Sequence, residues 1–220
     1  AGTAIGINQS VASLPDGGFV VTYSSWGQDG RGIYGRKYDA NGAPEGDEFR
    51  VNQSTSIYTY QTPTSVASLI DGGFVVTWSH NHKGIDIYGR RFDANGTPDG
   101  NEFLVNTYTG STQWQPSVSS LTNGGFIVTW LSRDNVGVHD ESIAGQMYNA
   151  SGAPEGGQFW IGYTGGESAH PSVTSLTDGG FVVALEWRHS DVGIEIHGQR
   201  FSATEGFIFD ANADYTEGVA

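Results

Sequence analysis

Four near-copies of one octet constrain this chain more than any other feature. They are DGGFVVTY at Asp16–Tyr23, DGGFVVTW at Asp71–Trp78, NGGFIVTW at Asn123–Trp130 and DGGFVVAL at Asp178–Leu185. Their leading glycines, Gly17, Gly72, Gly124 and Gly179, stand 55, 52 and 55 residues apart. A period of this length marks an array or a propeller of supersecondary units, none of which buries its apolar face alone.

A second block recurs in phase: IYGRKYDANGAPEGDEFRVN from Ile33, IYGRRFDANGTPDGNEFLVN from Ile87, IAGQMYNASGAPEGGQFWIG from Ile143, and a shortened IHGQRFSATEGFIFDAN from Ile196. Within one unit the hydrophobic period is two. SVASL and FVVTW flank an Asp-Gly-Gly turn, which signals a hairpin. IDIYGRRF gives a third strand, DANGTPDG is turn chemistry throughout, and NEFLVN gives a fourth. Strands A, B, C and D, written four times, predict an all-β fold, a four-bladed β-propeller of four-stranded antiparallel blades. The expected single domain covers residues 1–220, with units at about 11–53, 66–106, 118–162 and 173–212. Gly35, Gly89, Gly145 and Gly198 in strand C are expected to receive an aromatic ring of the neighbouring sheet, with Tyr23, Trp78 and Trp130 as the rings. Because GTAIGINQS matches GDEFRVNQS, residues 2–9 are expected to supply a D-type strand closing the last blade, in competition with the D-like EGFIFDAN at 205–212.

The unit DGGFVVTW…IYGRRFDANG…EFLVN resembles a repeat of large secreted bacterial proteins, often found beside calcium-binding or adhesin-like modules. The resemblance runs from Ala1 to about Asn212. It extends loosely to kelch blades, although here the paired glycines precede strand B instead of ending it. What it implies is an extracellular, repeat-built propeller that binds a ligand, with no catalytic residue to carry over.

Composition narrows the partners. The net charge is −14 with no Lys/Arg cluster, which disfavours nucleic acid and anionic membranes. There is no cysteine, so disulfides and thiolate chemistry are excluded. No apolar run approaches the ~18 residues of a membrane-spanning helix. The chain begins at Ala1 and its one methionine is Met147, so it is expected to be a processed or partial chain, exported by a bacterium, monomeric or part of a longer protein.

In a propeller the A–B and C–D turns lie on one face, the B–C and D–A connections on the other. The first class is short and uniform here. The second is long and differs between units, with D–A stretches QSTSIYTYQTPT, TYTGSTQWQP and YTGGESAHP, and B–C stretches such as SHNHKGID and EWRHSDVGIE. Variable loops on a rigid scaffold are where binding resides. The candidate ligand-binding residues on that face are Trp26, Tyr58, Tyr60, Gln61, His80, His82, Trp114, Gln115, His170 and His189. Aromatic faces stack on sugar rings while amides pair with hydroxyls. The DANG turns offer clustered oxygens, so Asp39, Asn41, Asp93 and Asn95 form a candidate calcium site; a plain turn is the competing reading. Glu186, Trp187, Arg188 and His189 break the repeat, as do Arg133, Asp134, His139, Asp140 and Glu141; drift of the repeat accounts for both groups. Two carboxylates across the channel suit glycoside hydrolysis, but the sequence holds no phosphate loop, nucleophile elbow or zinc helix. The expected function is therefore a non-enzymatic, lectin-like module for glycans. A structural or protein-binding propeller within an adhesin is the alternative, and a glycoside-directed enzyme the third reading.

Overall fold

Antiparallel hairpins account for every strand. The fold, given by a computed structural model, is described for residues 7–27, 30–53, 61–81, 84–133, 141–161, 167–189 and 193–202. The first sheet contains β1 (Ile7–Ser13), β2 (Phe19–Gly27), β3 (Gly30–Tyr38) and β4 (Pro44–Arg50). The second contains β5 (Gln61–Ser68), β6 (Phe74–Asn81), β7 (Ile85–Phe92) and β8 (Phe103–Leu104). The third contains β9 (Thr112–Ser120), β10 (Phe126–Arg133), β11 (Ser142–Tyr148) and β12 (Pro154–Ile161). The fourth, among the described residues, contains β13 (Glu167–Ser175), β14 (Phe181–His189) and β15 (Gly193–Phe201). Spatial order follows sequence order in each sheet, and the first strands pack successively, β1 on β5, β5 on β9 and β9 on β13. This is a β-propeller architecture with the first strand of each blade innermost.

The paired glycines have separate jobs. In the third unit the Gly124 N–H donates to the Leu121 carbonyl at 3.0 Å, and the Leu121 N–H donates to the Gly125 carbonyl at 2.8 Å. Gly124 reaches this turn at φ 88°. Gly125 sits so close to the start of the next turn that a Cβ there would lie 2.1 Å from the Tyr148 carbonyl oxygen. The side chain before the pair caps the turn: Asn123 Oδ1 accepts the Gly125 N–H at 2.9 Å, and Asp16, Asp71 and Asp178 do the same in the other units.

The strand-C glycines correct an expectation. Three of the four are covered by a ring, but from the next strand of their own sheet: Gly35 pairs with Phe49, Gly89 with Phe103 and Gly145 with Phe159. Cross-strand partners share a face, so the phenylalanine folds over the bare Cα. Trp78 and Trp130 instead fill the space between sheets, both 0% exposed. A Cβ at Gly145 would meet the Phe159 ring at 2.6 Å, whereas one at Gly198 would meet nothing within 4 Å. Gly145→Ala is therefore expected to cost about 1–3 kcal/mol and Gly198→Ala almost nothing, as read from urea denaturation midpoints.

Three apolar cores lie between successive sheets. Leu14, Val20 and Ile33 meet Val66, Phe74 and Trp78; Val75 and Ile87 meet Val118, Phe126 and Trp130; Ile127 and Ile143 meet Val173, Phe181 and Leu185. The innermost strands are also stitched by serine. Ser10 Oγ accepts the Val66 N–H at 3.2 Å, and Ser65 and Ser117 accept those of Val118 and Val173 at 3.1 Å. Residues 7–9 do not close the fourth sheet, because Ile7 begins β1 and pairs with Ser24 of β2. Residues 2–6 and 205–212 lie outside the described residues.

Candidate functional site

Each innermost strand is interrupted near its start by a β-bulge, at Ile7/Ser10, Gln61/Thr64, Trp114/Ser117 and Ala169/Ser172. In three of the four, a non-glycine residue takes the left-handed conformation: Asn8 at φ 55°, Gln115 at 54° and His170 at 50°. Left-handed backbone costs a side-chain-bearing residue roughly 1–2 kcal/mol, and such positions concentrate where a side chain must be re-aimed. The bulges also explain why the D–A connections are shorter than the sequence suggests. Alternation breaks there, yet the strand continues, so β9 already begins at Thr112 and β13 at Glu167.

The third and fourth sheets meet at this end through a row of polar side chains. Gln115 Oε1 accepts the backbone N–H of His170 at 3.2 Å. His170 Nδ1 lies 3.1 Å from Glu186 Oε2, which also accepts from Arg188 Nη2 at 3.3 Å. A carboxylate only accepts, so Nδ1 carries the proton and Nε2 is the other polar atom of the ring. The His170 bond, and then Arg188, hold the Glu186 carboxyl below the usual range. His170, Arg188 and Glu186 are 52%, 44% and 28% exposed, so the row is open to solvent. Beside it, the Arg133 guanidinium lies 5.1 Å from the centre of the Trp114 ring and pairs with the buried Glu141.

The candidate residues separate into groups. Gln115 and His170 are brought together across two sheets. Trp114 belongs partly to the core between the third and fourth sheets, so it is a wall more than an open platform. His80 corrects the reading of it as a loop ligand: it lies within β6, 6% exposed, with its ring edge-on to Tyr88 at 5.3 Å. The strand runs on three residues beyond Trp78, to Asn81, and the flanking sheets bury both of its faces. Trp26, Gln61 and His189 are placed in strands by their backbone, while their side chains, and all of Tyr58, Tyr60 and His82, lie outside the described residues. Glu186 and Arg188, set aside as drift, are central to the row. The signal for them was positional: Ser24, Ser79 and Leu131 occupy the position at which the fourth unit writes Glu186.

The DANG residues work as turn caps. Asp39 Oδ1 accepts the N–H groups of Asn41 and Ala43, both at 2.8 Å; Asp93 Oδ1 accepts those of Asn95 and Thr97 at 2.9 and 2.8 Å. Asn149, a neutral residue, makes the same pair to Ser151 and Ala153 at 3.0 and 3.1 Å. The turn geometry therefore needs an oxygen and not a charge, and it accounts for Asp39 and Asp93 at these positions without a metal. Among the described residues no group of three or more His, Asp or Glu side chains converges on a metal position. The backbone N–H groups of Ala43 and Thr97 hold the Asp39 and Asp93 carboxyls below their ordinary range. A folded-state value depressed in this way adds stability above the unfolded-chain value, about 3.9, and that stability is lost as pH falls through the folded-state value. The double variant Asp39→Asn/Asp93→Asn is expected to melt slightly below wild type at pH 7, to lose less stability below pH 4, and so to approach wild type in acid. A large loss at pH 7 would return a role to the charges.

No family model matches the sequence, and no curated protein matches it. Solved structures do share the fold. A protein of unknown function from Dyadobacter fermentans aligns with a TM-score of 0.64 at 12% identity, over 94% of this chain and 66% of its own. A Hadza microbial sialidase aligns at 0.62 and 11% identity, over 90% and 45%. An α-L-arabinanase from Penicillium chrysogenum, complexed with arabinobiose, aligns at 0.58 and 13% identity, over 92% and 57%. The chain thus spans about two thirds or less of the length of these neighbours. They correct the expectation of a module without enzymatic activity. The same architecture carries glycoside hydrolases, so lacking a phosphate loop, nucleophile elbow or zinc helix does not argue against catalysis.

Proposed function

We propose that this propeller is glycan-directed and that its site is the polar row Gln115–His170–Glu186–Arg188, at the bulged ends of the third and fourth sheets. The observation that carries the reading is the hydrogen-bonded chain itself. It bridges two blades, stays open to solvent and rests on two residues in left-handed backbone. An ionised carboxylate flanked by an imidazole and a guanidinium alternates acceptor with donors, as neighbouring sugar hydroxyls require. The sialidase and arabinanase among the neighbours support a sugar as the ligand. An extracellular bacterial setting goes with this proposal, supported by the cysteine-free, acidic composition and the repeat's resemblance to those of secreted proteins.

Cleavage of the bound glycan is the second reading. It is favoured by the neighbours named as glycoside hydrolases, and by Glu186 being held in the ionised form that a base or nucleophile needs. One experiment addresses both. Binding is measured on a glycan array that includes arabinan fragments and sialosides, and hydrolysis of the same sugars is followed by product release. Glu186→Gln and His170→Ala are each expected to weaken binding at least tenfold while leaving the melting temperature within a few degrees of wild type. Turnover that Glu186→Gln abolishes would establish the second reading. A chain that binds no glycan, or binds equally well without Glu186 and His170, refutes the site.

A further inference from the structure

In the third and fourth units every guanidinium already has a carboxylate. Beyond Arg91 the sequence contains three Lys or Arg residues, Arg133, Arg188 and Arg200, against sixteen Asp and Glu. All three arginines are paired: Arg133 with Glu141, Arg188 with Glu186 at 3.3 Å, and Arg200 with Asp178. Arg133 is held on a second side as well, its guanidinium lying 5.1 Å from the centre of the Trp114 ring. Residues 134–140, 162–166, 190–192 and 203–220 include no Lys or Arg, so these segments add no further guanidinium or ammonium to the two units. The polar row and its neighbour Arg133 therefore sit where carboxylates far outnumber cations and no cation of the same two units is left over.

Resting on the glycan-directed reading of this row, we propose that it takes neutral sugars and rejects anionic ones. A hydroxyl both donates and accepts. Gln115, whose Oε1 is taken by the His170 N–H, offers its amide N–H groups; Arg188 offers its remaining N–H groups, and Glu186 its lone pairs. A neutral sugar answers both kinds of group. A sugar carboxylate only accepts, so it leaves the Glu186 lone pairs unanswered and sets a second negative charge beside that carboxylate. Its attraction to Arg188 is offset by repulsion from Glu186, 3.3 Å from the same guanidinium. The surplus of carboxylates in the two units then decides against the anion, so specificity comes from repulsion of the wrong ligand as much as from attraction to the right one.

The test compares sugars that differ only in charge. Methyl-esterified oligogalacturonides and the methyl ester of sialyllactose are set against their free acids, with neutral arabino- and galacto-oligosaccharides completing the panel. The strongest binders are expected to be neutral, and their binding to be the same at low and high salt. Each ester that binds is expected to bind roughly tenfold or more tightly than its acid. Glu141→Gln leaves Arg133 without its carboxylate and is expected to narrow that preference about threefold or more. Asp178→Asn removes an equal charge at the other end of β14 and is expected to leave the preference unchanged. Asn123 fills the same turn position in the third unit, so the fold accommodates the change. If Glu141→Gln does not fold, the wild-type comparison decides alone. Equal affinity for ester and acid, or preference for the acid, overturns the proposal while leaving the glycan site in place. A preference that both variants narrow equally also overturns it, since overall charge and not the paired guanidiniums would then set the selectivity. Failure to bind any sugar of the panel refutes the glycan-directed reading itself, and this inference with it.

Discussion

Gly125→Ala is expected to destabilise the protein by about 3 kcal/mol or more, the upper end of what overpacking costs when backbone must move. The added Cβ would sit 2.1 Å from the Tyr148 carbonyl oxygen, well inside van der Waals contact. That oxygen belongs to the residue at which β11 ends, and Tyr148 is itself packed in the core against Phe126, their rings stacked at 4.6 Å. Relief therefore requires moving a strand, not rotating a side chain. Gly124→Ala meets a different obstacle, strain at φ 88°, for which about 1–2 kcal/mol is expected. Chemical denaturation of both variants checks the order. Equal losses would show that the second glycine, like the first, is chosen for its backbone freedom.

The repeat made the strands legible because a period of two, punctuated by Asp-Gly-Gly and Asp-Ala-Asn-Gly, admits few other foldings. It also exposed a compensating change. Lys37 and Arg91 reach the turn aspartates Asp16 and Asp71 at 3.9 and 3.2 Å, and Arg200 reaches Asp178; in the third unit Asn123 is neutral and Met147 takes the cation's place. The site was harder to read. Gln115 and His170 were legible as polar residues of the variable D–A connections, but not their contact, which depends on two bulges whose left-handed residues carry no glycine signal. Glu186 was visible as a carboxylate at a neutral position, but its contacts with His170 and Arg188 were not. The serine stitch went unread because Ser-Val is ordinary strand sequence. Its role exists only between sheets, and periodicity within one chain segment says nothing of that. The covering of Gly35 by Phe49 was missed similarly, since spacing alone does not tell a ring of the same sheet from one of the next.

Trp130→Ala is expected to cost about 3–5 kcal/mol. The indole is fully buried in the core between the second and third sheets, where Val75, Ile87 and Val118 pack with it. Its Nε1–H donates to Gln113 Oε1 at 2.9 Å, and Gln113 is itself 0% exposed. The two contributions are separable. Trp130→Phe keeps much of the apolar volume but leaves the Gln113 oxygen buried without its donor, so about 1–3 kcal/mol of the loss is expected from that change alone. Adding Gln113→Met removes the orphaned acceptor with little change in volume. The double variant is then expected to be more stable than Trp130→Phe, although it makes one hydrogen bond fewer than wild type. Urea denaturation of the four proteins forms a double-mutant cycle with a coupling of about 1 kcal/mol or more. If the double variant is the least stable of the four, the indole contributes through its shape, and the hydrogen bond to Gln113 is incidental to the core.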